Sequence, residues 1–104
     1  MKIGKELRNY WVMSVGGEVA AEGYSLEVPW VNGEFAVIRQ LEDDKSWIVT
    51  ELTTGLALRG VTGTSPRKAA NKLKKIYGPE HPCWTRLEPL LQDFIKIYGK
   101  RGKL

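Results

Sequence analysis

The chain of 104 residues contains one cysteine, Cys83, and one histidine, His81. A lone thiol excludes an internal disulfide and fits a reducing compartment, so a cytoplasmic setting is expected. His81-Pro82-Cys83 offers two ligands, where a structural zinc site takes four. The sequence favours a proline-bearing loop with a small buried thiol and a surface imidazole over a Cys–His catalytic pair. No apolar run approaches the roughly 18 residues of a membrane-spanning helix. The start, Met1-Lys2-Ile3-Gly4-Lys5-Glu6, has charge without an apolar segment behind it, so no signal peptide is expected. Thr62-Gly63-Thr64-Ser65 precedes a helical stretch but lacks the lysine and second glycine of a phosphate-binding loop. Glu42, Asp43 and Asp44 adjoin in a turn, where they solvate it. Acid–base chemistry needs two carboxylates in different environments. These absences yield no catalytic residue, no metal and no cofactor, and the expectation is a non-enzymatic protein.

What is present is a mixed composition with a lopsided charge. Hydrophobic residues make up 42%, with four tryptophans and four tyrosines, enough for one compact core. At this length a single domain spanning residues 1–104 is expected. Residues 1–64 carry six basic groups against nine acidic ones, a net of −3, and residues 65–104 carry ten against three, a net of +7. Such asymmetry points to an anionic partner for the second half.

The first half has strand character and the second has helical spacing. Tyr10 to Val15 is rich in β-formers and ends at Gly16-Gly17, a pair suited to a tight hairpin. Val19 to Tyr24 returns from it. Pro29 and Asn32-Gly33 break the chain around Trp30. Phe35 to Leu41, Trp47 to Leu52 and Leu56 to Val61 follow, separated by Glu42-Asp43-Asp44-Lys45 and Thr53-Thr54-Gly55, which predicts an antiparallel meander. Ser65-Pro66 then opens a helix with a capping hydroxyl and a proline suited to the first position. Gly78-Pro79 closes it, with the glycine expected in the left-handed cap. A second helix is expected from Thr85 to Tyr98. Leu87, Leu90, Leu91, Phe94, Ile95 and Tyr98 form its apolar stripe, Thr85 and Glu88 have capping-box spacing, and Pro89 falls in its first turn. The expected fold is therefore α+β: a three- to five-stranded sheet over residues 10–61, a basic helix over 65–78, an amphipathic helix over 85–98 and a basic tail over 99–104.

The first helix carries the strongest functional signal. Ala69, Leu73 and Ile76 define its buried stripe, with Ala70 and Tyr77 beside them. Lys68, Lys72 and Lys75 form one basic line and Arg67, Asn71 and Lys74 another, with no acid between Ser65 and Gly78. Unopposed cations in this arrangement neutralise phosphates. The competing reading is a solvated helix face, since lysine is a good helix former. Lys100 and Arg101 would assist from the tail. Of the aromatics, Trp11, Phe35 and Trp47 are expected in the core. Trp30, in a breaker region, is expected to be free for a partner or to lie as a lid on the sheet.

Residues 47–77 add a resemblance. Trp47-Ile48-Val49-Thr50, Thr54-Gly55, a short strand, Gly60, Gly63 and Ser65-Pro66-Arg67-Lys68-Ala69-Ala70 resemble the second half of the double-stranded-RNA-binding domain. There a strand, a Thr-Gly turn, a second strand and a glycine-rich loop lead into a basic helix. The resemblance implies that Arg67 and Lys68 contact phosphates, with Lys72 assisting. Pro66 stands where that family has a basic residue, and Lys2 to Asn9 is too short for its first helix. The meander-plus-helix order also looks like the arm domains of phage-type integrases. The Trp47-to-Ala57 phrase looks like small phage proteins. Two functions follow as expectations: a nucleic-acid-binding module, DNA or RNA, or a phage-type adaptor that binds a host or phage protein through its sheet or the Trp30 loop.

Overall fold

The computed structural model describes residues 1–14, 16–40 and 45–98. The expected turn at Glu42-Asp43-Asp44 and the tail with Lys100 and Arg101 lie outside the described residues. Six strands precede two helices: β1 (Lys2–Ile3), β2 (Arg8–Ser14), β3 (Gly17–Glu27), β4 (Phe35–Arg39), β5 (Trp47–Glu51), β6 (Leu56–Gly63), α1 (Pro66–Ile76) and α2 (Cys83–Tyr98). The fold is α+β, and each strand from β2 to β6 pairs antiparallel with the next. The added strand, β1, pairs with the far end of β3 through Lys2–Glu27 and Ile3–Leu26, beyond the stretch of β3 that holds β2. Lys2-Ile3 is too short to show any periodicity. Tertiary pairing, not local pattern, makes it a strand.

Alternation along the strands sends side chains to two separate cores. On the helix side, Leu26, Phe35, Val37, Trp47, Val49 and Val61 pack with Ala69, Ala70, Leu73 and Trp84. On the other face, Tyr10, Val12, Ala21, Ala36, Ile38 and Leu52 pack with one another. Among the described residues no helix side chain joins this second core. The sheet covers it by curling, so that the Met13 amide donates to the Gly55 carbonyl at 2.8 Å and β2 meets the start of β6. Gly55 sits at φ 76°, a left-handed turn conformation that costs glycine little. The Glu51 carboxylate, 3% exposed, organises that turn by accepting from the Thr53 amide (2.8 Å), the Thr54 amide (2.9 Å) and the Thr54 hydroxyl (2.8 Å).

Helix α1 begins as the sequence indicates, with the Ser65 hydroxyl accepting from the Lys68 amide at 3.2 Å and Pro66 at the first position. Ala69, Ala70 and Leu73 are fully buried, and the two small residues let the helix lie close to the sheet. Gly63 serves the same approach, because a Cβ there would sit 2.6 Å from the Ala69 nitrogen. The far end differs from expectation. Gly78 is not left-handed. Instead the Trp84 indole nitrogen donates to the Tyr77 carbonyl at 3.0 Å and the Gly78 carbonyl at 2.9 Å. A side chain from the next helix thus binds the carbonyls at and just past the helix end, in place of a glycine-based cap.

Helix α2 starts at Cys83, two residues before the expected Thr85. The cap is supplied by His81, whose Nδ1 accepts from the Cys83 amide at 3.1 Å, and not by a Thr85–Glu88 box. Pro89 therefore lies in the second turn, where its missing N–H cannot reach the Thr85 carbonyl. The expected stripe is only partly covered. Leu91 is buried and Leu87, Phe94 and Ile95 are half-buried, whereas Leu90 is 64% exposed. Ile97, outside the stripe, is 69% exposed.

Two substitutions test this packing. Leu73→Ala should cost about 2–5 kcal/mol, the usual range for a core leucine, in chemical denaturation. Trp84→Phe retains an aromatic ring against Phe35 but strands the Tyr77 carbonyl, while the Gly78 carbonyl keeps the His81 amide, and should cost about 1–3 kcal/mol by the same measurement.

Candidate nucleic-acid interface

The burial of Ala69, Ala70 and Leu73 fixes which way the rest of α1 points. At 3.6 residues per turn, Lys68, Lys72 and Lys75 lie on one flank and the crest, and Arg67, Asn71 and Lys74 on the other flank and the crest. All six are exposed. The ion pairs found among the described residues, Arg8–Glu6 and Arg39–Glu22, involve none of the helix's cations. Arg67 has one contact, a hydrogen bond at 3.3 Å to the Met1 carbonyl.

That bond orients the helix. Met1 leads into β1, which borders β3 at one side of the sheet, while β6 lies at the other end of the strand order. The Arg67 and Lys74 flank therefore faces the β1 side, and the Lys68 and Lys72 flank faces β6. The structure brings Arg67, Lys68, Lys72, Lys74 and Lys75 together on one helix.

Of the three aromatics expected in the core, the structure buries two. Phe35 and Trp47 are buried, but Trp11 is 39% exposed. Its neighbours Tyr10 and Val12 point into the core enclosed by the curl, so Trp11 and Met13 point outward, and small Ala20 opposite Trp11 leaves the ring uncovered. Trp30 is half-buried against the helix-side core, with its indole nitrogen sealed from solvent and without an acceptor. The signal for Trp11 was its two neighbours on the strand: one face of β2 has Tyr10 and Val12, and the other has Asn9, Trp11 and Met13. Arg39 is engaged elsewhere. Its guanidinium lies 5.0 Å from the Trp47 ring centre and 3.6 Å from the Glu22 carboxylate.

His81 and Cys83 are accounted for structurally. His81 caps α2 and meets the Tyr77 ring edge-on at 5.0 Å. Burial pushes the Cys83 thiol up from its ordinary value, with nearby Arg86 opposing that shift weakly. Among the described residues no group of three or more His, Cys, Asp or Glu side chains is placed to hold a metal ion, and no helix is long and apolar enough to cross a membrane. An open groove of about 630 Å³ between the β1–β2 link and β4 mixes Lys5 and Arg8 with Glu6, Glu27 and Glu34. Its charges oppose one another and concentrate neither sign.

No family model, curated protein or solved structure matches the chain. Residues 47–77 do form a strand, a Thr-Gly turn, a strand and a basic helix in that order, and Lys2 to Asn9 contributes strand residues.

A raised thiol is a poor nucleophile near neutrality, because only the thiolate attacks. Cys83 should therefore react with iodoacetamide at pH 8 more slowly than free cysteine does, measured by mass spectrometry over time. A faster rate would contradict the placement.

Proposed function

We propose that the protein is a non-catalytic nucleic-acid-binding module that contacts phosphates through α1. The observation that supports this reading most is the helix itself, which carries Arg67, Lys68, Lys72, Lys74 and Lys75, all exposed and none in an ion pair among the described residues. A solvated helix face usually mixes charges of both signs, since i,i+4 pairs of opposite charge stabilise it. Here the first turn carries no acid although the positive end of the helix dipole favours one. Arg67 and Lys68 at that end cost helix stability and gain attraction for polyanions, whereas Lys74 and Lys75 suit the negative end of the dipole. The tail residues Lys100 and Arg101 extend the same charge in sequence.

A second reading, a module that binds a host or phage protein, shifts its surface from Trp30 to α2. Exposed Leu90 and Ile97 support it, because large apolar side chains on an outer helix face are a feature of interaction sites.

Fluorescence anisotropy over a salt series separates the two. Binding to duplex or single-stranded DNA or RNA should weaken steeply with salt, and each lost phosphate contact on duplex DNA should reduce the log–log slope by about 0.9. At physiological salt the dissociation constant should be on the order of 10⁻⁴ to 10⁻⁶ M. Lys68→Glu with Lys72→Glu should abolish binding while leaving the denaturation midpoint nearly unchanged, as both side chains are exposed. No binding to any polymer at low salt would end this reading in favour of the second.

A further inference from the structure

We infer that the ligand is an unpaired strand, with its phosphates on the Lys68–Lys72–Lys75 line and a base stacked on Trp11. This rests on the nucleic-acid reading above and narrows it to one form of the polymer. Trp11 is 39% exposed, and it stands on a strand where burial would be ordinary. Its partner across the ladder is Ala20, too small to shield the indole face, and Met13 and Leu56 beside the seam are exposed as well. A flat, uncovered indole bordered by apolar side chains is the platform on which a nucleobase stacks.

The fold leads the basic line toward this platform. Only Thr64 and Ser65 separate the end of β6 from α1, which packs across β6, β5 and β4. Its far end is bonded by Trp84, whose ring meets Phe35 in the row of Glu51 and Leu56, so the helix runs from the Gly63 end of β6 toward the Leu56 end. Lys68 thus lies at the Gly63 end, and Lys75 lies about 10 Å along the axis toward the Leu56 end. Leu56 follows Gly55, whose carbonyl accepts from Met13. Along this border of the sheet the order is therefore Lys68, Lys72, Lys75, then Leu56, Met13 and Trp11. Arg59, exposed on β6, adds a cation beside the path. A duplex keeps its base faces stacked on one another and has nothing to offer the indole, whereas an unpaired strand presents both chemistries at once.

The test compares an oligothymidine, an oligouridine and a mixed-sequence duplex of equal length at one salt concentration by anisotropy. The single strands should bind more tightly than the duplex. Trp11→Ala should weaken single-strand binding by about 5- to 150-fold. It should leave duplex affinity and the salt slope unchanged, and Trp11→Phe should restore most of the loss. Trp11→Ala that is folded by circular dichroism yet binds single strands like wild type would overturn the inference, as would a duplex bound at least as tightly as the single strands. The phosphate-binding reading would survive either result. Absence of binding to all three polymers at low salt would overturn both.

Discussion

The Trp84 indole joins the three parts of this fold. Its nitrogen closes the C-terminus of α1 on the Tyr77 and Gly78 carbonyls, its ring edge meets Phe35 of the sheet at 6.0 Å between centroids, and its own residue opens α2. Helix termini leave carbonyls without partners, and burying them unpaired costs more than a hydrogen bond returns. One side chain therefore satisfies the end of one helix while anchoring the next. With that end fixed, Ala69, Ala70 and Leu73 stay seated on Val37, Val49 and Val61. The outward direction of the five cations on α1 follows from that seating.

A second constraint acts on the opposite face. Ala36, Ile38 and Leu52 point away from the helices and still need cover, which the β2–β3 hairpin provides with Tyr10, Val12 and Ala21. Curling the sheet far enough to do this brings β2 to the Thr-Gly turn. The same curl turns the other side of β2 outward. Trp11 is exposed because Tyr10 and Val12 are buried: period-2 alternation in a strand with only one covered face allows no other outcome.

Local signals account for what was legible in the sequence. The meander, the Ser65-Pro66 start and the buried Ala69–Leu73 stripe follow from turn chemistry, capping and periodicity, each contained within a few residues. The exposed basic line on α1 was legible for the same reason. What escaped depended on distant partners. Lys2-Ile3 became a strand through Leu26 and Glu27, Gly78 lost its left-handed role to an indole six residues on, and the cap of α2 passed to a histidine. Trp11 escaped the expected core because residue type alone does not say which face of a strand the rest of the chain will cover.

The order of the elements has a consequence for synthesis. The strands leave the ribosome before α1 and Trp84, so the helix-side face of Leu26, Phe35, Val37 and Val49 can form while its cover is still unmade. At roughly 5–20 residues per second, the segment from the end of β6 to Trp84 takes on the order of seconds to emerge. During that interval the nascent sheet presents a bare apolar surface, and chaperone engagement is favoured then and not after release. A chain truncated before α1 would remain in that state permanently.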